Sequence, residues 1–236
     1  PRGKTLGGTS SINGMVYMRG HRQDYDEWRQ RGCVGWDWDG VLPFFKKAQN
    51  QARGESELHG VGGPLNVSDH VSKSELADAM IRAAQGLGIP KTEDFNGPEQ
   101  EGAGYYQTTT AQSRRWSTAQ AYLKPARSRA NLVVRSACQA TKVLFEGNRA
   151  VGVEYRSPRG REVARAGREV IVSGGAYGSP QLLQLSGLGP AQHLRDMGIE
   201  VVRDMPAVGA NLHDHFGIYL MWRCAKPITM NDLENS

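Results

Sequence analysis

A glycine pair followed by three hydroxyl residues lies in the stretch GKTLGGTSSINGMVY, at residues 3–17. Gly7 and Gly8 have no Cβ, so the backbone can turn sharply there and leave N–H groups free for a ligand. Residues 9–11 are favoured N-cap types, and the apolar residues that follow at helical spacing predict a helix directly after the glycines. A helix N-terminus behind a glycine turn is a site for an anion such as a phosphate group. The alternative is a loop that simply enters a buried helix.

A second candidate for chemistry is the segment His213-Asp214-His215. Alternate side chains of an extended segment point to the same side, so the two histidines are compatible with a metal ion. We predict no metal site there, because the sequence offers no third ligand nearby.

The composition predicts a folded protein of one large domain or parts of two, since 236 residues with 39% hydrophobic content can fill a core. The net charge is +5, but basic and acidic residues are interspersed, which predicts no nucleic-acid partner. Three distant cysteines, Cys33, Cys138 and Cys224, indicate a reducing compartment without disulfides or zinc. No apolar run approaches the roughly 18 residues of a membrane span, and nothing at the start resembles a signal peptide.

Helices are predicted in the first half of the chain from their apolar spacing and their caps. The segments HRQDYDEWRQRG and WDWDGVLPFFKKAQN each predict a short helix, the second capped by Asp37 or Asp39. Residues 74–87 predict another helix, behind a capping box of Ser72 and Glu75.

The segments between and after these helices give weaker patterns. Residues 51–63 are polar and rich in glycine, which predicts an exposed loop and a surface position for His59. GPLNVSD and residues 103–110 predict short strands. RRWSTAQAYL predicts a capped helix with Trp116 and Tyr122 in the core.

From Asn131 onward the periodicity is that of strands. NLVVRSA, TKVLFEG, AVGVEYR and REVARAG are separated by turn residues and predict an antiparallel meander. Residues 170–172 predict a buried strand, followed by small residues and a helix that begins near Ser179 and Pro180 and ends before Gly187. Such a turn lets backbone lie against a flat or phosphorylated cofactor, without specifying which one.

Three motifs in sequence order resemble the signatures of the glucose-methanol-choline (GMC) family of FAD-dependent oxidoreductases. They are the opening stretch from Gly3 to Gly20, GGAYGSPQLLQLSGLGP at 174–190, and VGANLHDH at 208–215, in which His213 replaces the usual glutamine. The spacers, such as DYDEWRQRGCVGWDWDGVLPFFKKA and DFNGPEQEGAGYYQ, resemble bacterial choline dehydrogenases and their medium-chain alcohol dehydrogenase relatives in that family. The resemblance covers essentially the whole chain.

This resemblance implies an α+β fold, with an incomplete α/β FAD-binding domain of GMC type, an antiparallel meander and part of a substrate-binding domain. We expect an FAD-binding segment at 1–35, a mainly substrate-domain or cover segment at 36–125, the FAD-binding domain with the meander at 126–207, and the start of the substrate-binding domain at 208–236. The family's dinucleotide fingerprint lies upstream of the first motif, and its catalytic histidine lies far downstream of the third. We therefore expect an internal piece of a longer enzyme that is inactive by itself.

The implied activity is oxidation of a primary alcohol, choline or a related alcohol, to the aldehyde by hydride transfer to FAD. The flavin is expected to be non-covalent, because Ile12 stands where some choline-oxidising relatives carry a flavin-linked histidine. Expected partners are a small-molecule alcohol and an electron acceptor, either a quinone or oxygen. We expect a cytoplasmic location, and peripheral association of the full-length enzyme with the inner membrane stays open.

Two alternatives accompany this interpretation. One is a medium-chain aliphatic or aromatic alcohol dehydrogenase of the same family. The other is a non-catalytic dinucleotide-binding module, which is disfavoured because no G-x-G-x-x-G followed by an acidic residue occurs in the chain.

The resemblance also implies a set of cofactor-binding residues, and it implies no catalytic or metal-binding residue within the chain. The backbone at Ala140 corresponds to a family contact with the adenine end of FAD, and Gly174–Ala176 should pass near the cofactor. Simple packing of small residues is the alternative role. The cofactor-binding set is Thr5, Gly7, Gly8, Thr9, Asn13, Gly14, Met15, Val16, Ala140 and Gly175.

Overall fold

The computed structural model describes residues 2–229 and divides into two compact units. Among the described residues, 2–133 and 222–229 form the first unit, and Val134–Met221 form the second. Helices and strands occur in both units, which confirms the predicted α+β class. No helix in the described part of the chain combines the length and the apolar character needed to cross a membrane.

The first unit contains the three α-helices that the sequence predicts. They are α1 (Arg22–Gln30), α2 (Trp38–Ala48) and α3 (Glu75–Gly86). His21 and Asp24 form a capping box on α1, and the Asp37 side chain caps α2. The predicted capping box on α3 is wrong, because Ser74 and not Ser72 is the N-cap residue, and its hydroxyl accepts the Ala77 N–H.

Short strands join the start of the first unit to its middle. They are β1 (Gln49–Gln51), parallel to β2 (Leu65–Val67), and β3 (Thr110–Ala111), antiparallel to β4 (Arg114–Arg115). The strand predicted at 103–110 is largely absent, because Thr108 makes only isolated bridges, to Val16 and to Ser68. Through Thr108, these bridges connect Val16 of the opening segment to Ser68, which directly follows β2.

The predicted opening helix is wrong. A single turn of 3-10 helix spans Gly8–Ser11, and the chain then extends, with Met15 at a φ of 62°. The physical reason is competition from side chains, since the Ser10 hydroxyl donates to Gly7 O over 2.6 Å and the Ser11 hydroxyl donates to Leu6 O over 2.8 Å. A turn this short provides no helix N-terminus, so the predicted helix-terminal anion site is wrong.

RRWSTAQAYL forms less α-helix than predicted. Its first residues belong to β4, and a π-helical turn at Ala119–Leu123 continues into the short α4 (Lys124–Ala126). Tyr122 is 44% exposed and is not a core residue. Trp116 is half-buried, and its indole N–H donates to Pro64 O over 2.8 Å.

The second unit contains the predicted antiparallel meander. It consists of β5 (Gln139–Glu146), β6 (Arg149–Ser157) and β7 (Gly160–Arg165), in that order across the sheet. The run NLVVRSA is not a strand, and Val133 is 76% exposed. Residues 170–172 form no strand either, and Ile171 is 78% exposed. A strand needs a hydrogen-bonded neighbour, and within the described ranges these two runs have none.

Helix α5 (Gly175–Leu185) packs against the meander. It begins several residues before the predicted start, so Pro180 lies inside it, and Ser186 and Gly187 follow its end as expected. The fully buried Ser186 accepts the Val143 N–H over 2.8 Å, which joins the helix end to β5. The unit also contains α6 (Ala191–Asp196) and a parallel pair, β8 (Leu188–Gly189) and β9 (Arg203–Asp204).

Candidate functional site

The opening turn, residues 5–16, contains eight of the ten predicted cofactor-binding residues. Thr5 O accepts the Gly8 N–H over 2.9 Å, and the Thr9 hydroxyl accepts the Gly3 N–H over 3.2 Å. Thr9 O accepts the Asn13 N–H over 2.9 Å, which closes the turn. The structure therefore brings Thr5, Thr9 and Asn13 together around the glycine pair.

A later segment of the first unit fixes this turn from outside. The Thr118 hydroxyl donates to Gly7 O over 3.1 Å, and the Thr118 N–H donates to the Ser10 hydroxyl over 3.0 Å. The Thr109 N–H donates to Met15 O over 2.8 Å, at the point where Val16 bridges to the strands. The turn is thus anchored at both of its ends by residues about 100 positions away.

The two glycines of the pair differ in what surrounds them. A Cβ added to Gly7 would lie 2.5 Å from the Ser11 hydroxyl oxygen and 3.1 Å from the Ala119 Cβ, so the chain itself fills that space. A Cβ added to Gly8 or to Gly14 would meet no atom within 4 Å. Their open backbone fits the close approach of a flat or phosphorylated group, as a flavin cofactor requires.

The second unit holds the two remaining predicted residues. Ala140 lies on β5 opposite Tyr155, next to an irregularity in the strand register. Gly175 is the first residue of α5, with a φ of 82° and no atom within 4 Å of an added Cβ. Its left-handed conformation and open side are also compatible with backbone contact to a ligand.

The second and third sequence motifs meet within the second unit. The Gln184 side chain on α5 donates to Val208 O over 2.9 Å, and a Cβ on Gly209 would lie 2.6 Å from the Gln184 amide nitrogen. A cavity of about 410 Å³ lies between the two motifs and is lined by Ala176 and His213, among others. In the part of the chain that the structure describes, no three metal-ligating side chains cluster, at His213 and His215 or elsewhere.

A buried polar network lies directly after the opening turn, and the sequence does not predict it. Arg19 is 6% exposed, and its guanidinium donates to Leu58 O, to the Gln49 side chain and to the Tyr17 hydroxyl. The Asn96 side chain accepts the Arg19 N–H over 2.9 Å and donates to Tyr17 O over 3.0 Å. The network therefore fixes the backbone of residues 17–19.

The network continues to His59, which is 7% exposed, so its predicted surface position is wrong. The Gln49 amide oxygen accepts from Arg19, which leaves its nitrogen to donate to His59 Nδ1 over 3.1 Å. His59 Nε2–H then donates to Asp94 over 2.7 Å. We call Arg19, Gln49, His59, Asp94 and Asn96 the Arg19 network.

Asp94 is the acidic end of this network. Burial raises the pKa of the Asp94 carboxyl, but the hydrogen bonds from His59 and from the Asn96 N–H, with the nearby charge of Arg53, hold its pKa below the ordinary value of 3.8. The glycine-rich composition around His59 conceals this burial, because its partners come from residues 49 and 94. No local pattern could have located it.

The sequence matches the family model described as GMC oxidoreductase over residues 1–217. The chain belongs to the GMC oxidoreductase family. This confirms the family to which the three motifs point. The matched range contains all ten predicted cofactor-binding residues.

Several GMC relatives are similar over most of this chain. The mitochondrial choline dehydrogenase of Homo sapiens is 48% identical over 234 residues, which cover 99% of this chain and 39% of the relative. The oxygen-dependent choline dehydrogenase of Brucella anthropi is 47% identical over 230 residues, which cover 98% and 42%. The solved structure of an FAD-dependent oxidoreductase from Chaetomium thermophilum is 30% identical, with a TM-score of 0.81 over 87% of this chain and 38% of that one. The chain thus spans about two fifths of the curated relatives it matches.

Proposed function

We propose that the full-length protein is an FAD-dependent oxidoreductase that oxidises the hydroxyl group of a primary alcohol, choline or a closely related alcohol, to the aldehyde. The observation that carries the proposal is the open backbone at Gly8 and Gly14 within the first motif of a GMC chain. The identity of 48% to a choline dehydrogenase supports choline as the alcohol.

The cofactor of this GMC chain is FAD, in keeping with the family and with the FAD-dependent neighbour. When bound, FAD supplies the acceptor for a hydride from the substrate carbon. The chain's own contribution is to bind and orient it: Gly8 and Gly14 leave room for close approach, and the anchored turn keeps that surface in place. The proposed binding residues are Thr5, Gly7, Gly8, Thr9, Asn13, Gly14, Met15, Val16, Ala140 and Gly175.

We extend the proposal to the domain roles of the four predicted segments and assign no catalytic residue within the chain. The electron acceptor is a quinone or oxygen, and the name of the Brucella anthropi relative favours a test with oxygen first. A cytoplasmic location, with peripheral association at the inner membrane as an option, is supported by three cysteines that form no disulfide.

The direct test is to purify the full-length protein and follow dye reduction and oxygen consumption with choline and with a panel of aliphatic and aromatic primary alcohols. We expect flavin-dependent turnover with choline at the highest kcat/KM. Turnover with aliphatic or aromatic alcohols alone would favour the medium-chain alternative of the same family. Bound flavin that no alcohol reduces would favour the non-catalytic module.

The mode of flavin attachment is a separate prediction. Ile12 precedes Asn13, is 50% exposed and has no nucleophilic atom, so the turn cannot form a covalent bond to the flavin through this side chain. Acid precipitation of the full-length protein should release the flavin into the supernatant. Flavin absorbance that stays with the denatured pellet would contradict this.

A further inference from the structure

Arg115 reaches the opening turn from a different part of the first unit. It lies on β4, after the tight turn at Gln112 and Ser113, whose φ values of 50° and 59° suit a two-residue hairpin. Its Nη1 donates to Asn13 Oδ1 over 2.9 Å and to Ser10 O over 3.1 Å. In the described part of the chain these two oxygens are the only hydrogen-bond partners of the guanidinium, which also makes no ion pair there.

Those contacts fix the orientation of the Asn13 carboxamide. Its Oδ1 accepts from Arg115 and also from the Met15 N–H, over 3.1 Å. Both groups are donors only, so the atom that faces them must be the oxygen, and its two acceptor positions are used. A flipped amide would set its NH₂ group against two N–H donors.

The consequence is a free donor beside an open surface. Asn13 is exposed, and its Nδ2 has no hydrogen-bond partner among residues 2–229. The next residue is Gly14, where an added Cβ meets no atom within 4 Å. An exposed N–H donor at an open backbone is complementary to a planar ligand that carries acceptor atoms.

We propose that Arg115 is a positioning residue for the flavin. It holds the Asn13 oxygen so that Asn13 Nδ2 donates to a carbonyl oxygen or ring nitrogen of the isoalloxazine ring. The inference rests on the proposed function, since it takes the bound ligand to be FAD. Arg115 lies 102 residues from Asn13 along the chain. It is outside the three motifs that identify the family.

A purely structural role would use the second contact instead. Arg115 also donates to Ser10 O, so it could serve only to keep the turn closed. The two roles differ in whether the effect of Arg115 depends on the Asn13 amide. A double-mutant cycle between these residues separates them.

The experiment uses the full-length holoprotein and its Arg115→Met, Asn13→Ala and doubly substituted variants. Arg114→Met is the matched control, because the exposed Arg114 adjoins Arg115 on β4 and has no described side-chain partner. The readouts are the Kd for FAD after flavin removal and the visible absorption spectrum of the bound flavin. Arg115→Met should weaken FAD binding about 10- to 100-fold, in keeping with loss of a charge-assisted hydrogen bond. Arg114→Met should leave the Kd for FAD within about 2-fold of the wild-type value.

Whether the effect of Arg115→Met depends on Asn13 distinguishes the positioning role from the purely structural role. In the Asn13→Ala background Arg115→Met should add less than about 3-fold, and both single variants should shift the flavin spectrum in the same way. Arg115→Lys keeps the charge and should bind FAD with an affinity between those of wild type and Arg115→Met. If Arg115→Met does not fold, Arg115→Lys is compared with Arg114→Lys by the same readouts.

Three results would overturn the proposal. They are an Arg115 variant that matches its Arg114 control, an undiminished effect in the Asn13→Ala background, or a flavin spectrum that only Asn13→Ala changes. A wild-type protein that binds no FAD would overturn the proposed function as well. That result is distinct, because the other three require a flavin-binding wild type.

Discussion

The opening turn and Arg19, the centre of the Arg19 network, lie a few residues apart in the same sequence motif, yet the turn and the network differ in exposure and in hydrogen bonding. The turn presents exposed residues and glycines with open sides, and its hydrogen bonds hold backbone in place. In the network, Arg19 is 6% exposed, and Gln49 and His59 are 0% and 7% exposed. One motif therefore contains both the proposed flavin-binding surface and the central arginine of a buried network. Substitutions in the two regions should separate flavin binding from stability.

Gly8→Val should have the largest effect on flavin binding. The substitution places a branched side chain into the open space beside the turn, where we place the cofactor, and it strains a residue with a φ of 56°. The purified full-length variant should carry almost no flavin, measured as the ratio of visible to ultraviolet absorbance.

Gly147→Val is the matched control for this variant. Gly147 lies in the turn between β5 and β6, has a φ of 58° and also has no atom within 4 Å of an added Cβ. The backbone strain is equivalent, so this variant should lose some stability and keep its flavin. Equal flavin loss in the two variants would show that strain, not exclusion of the cofactor, is the cause.

Arg19→Met should have the largest effect on stability. It leaves Leu58 O, the Gln49 side chain and the Tyr17 hydroxyl without their buried donor. The loss of hydrogen bonds to a charged group should lower the free energy of unfolding by about 3 kcal/mol. Chemical unfolding of the flavin-free full-length protein measures it.

The control for Arg19 is Arg31→Met. Arg31 has a 70% exposed side chain and forms a surface ion pair with Glu27 at 3.4 Å. Its loss should change the free energy of unfolding by less than about 1 kcal/mol. Similar losses in the two variants would remove the distinction between the buried network and the surface.

A smaller effect on the free energy of unfolding is expected from substitution of Asp94, at the acidic end of the Arg19 network. The pKa of Asp94 is lower in the folded protein than its ordinary value of 3.8, so the ionised carboxylate stabilises the fold above that pH. This stabilisation is lost as pH falls through the lowered pKa. Asp94→Asn should therefore reduce stability at neutral pH and weaken the pH dependence of unfolding below about 3.8.

His59→Leu offers an independent test of the same contact. It removes the 2.7 Å hydrogen bond to Asp94 while the carboxylate stays in the chain. The free energy of unfolding at neutral pH should fall, as in Asp94→Asn. In the double variant it should fall by no more than the sum of the two single decreases. An unchanged acid dependence in Asp94→Asn would contradict the stabilising role of the ionised carboxylate.

The sequence predicts the features that depend on local interactions. Helices α1, α2 and α3 have side-chain caps and apolar stripes, and the meander has clear turn residues between its strands. Two details of these elements differ: the N-cap of α3 is Ser74, and the run NLVVRSA before the meander is not a strand. These elements are specified within about a dozen residues of sequence.

The predictions that fail depend on distant partners. The opening helix is replaced by a turn that Thr118 and Thr109 anchor from far along the chain. Residues 170–172 have strand composition but no neighbouring strand in the described ranges. His59 is buried by residues that the sequence gives no reason to place beside it. The family motifs indicate the residues of the site, but the hydrogen bonds that hold them come from the fold.

A crystal structure of the full-length protein with its bound flavin would test the central claim most directly. We predict that FAD lies against the open backbone of Gly8 and Gly14. Asn13 Nδ2 should lie about 3 Å from an acceptor atom of the isoalloxazine ring. An FAD molecule bound elsewhere, with Gly8, Asn13 and Gly14 all facing solvent, would contradict the account.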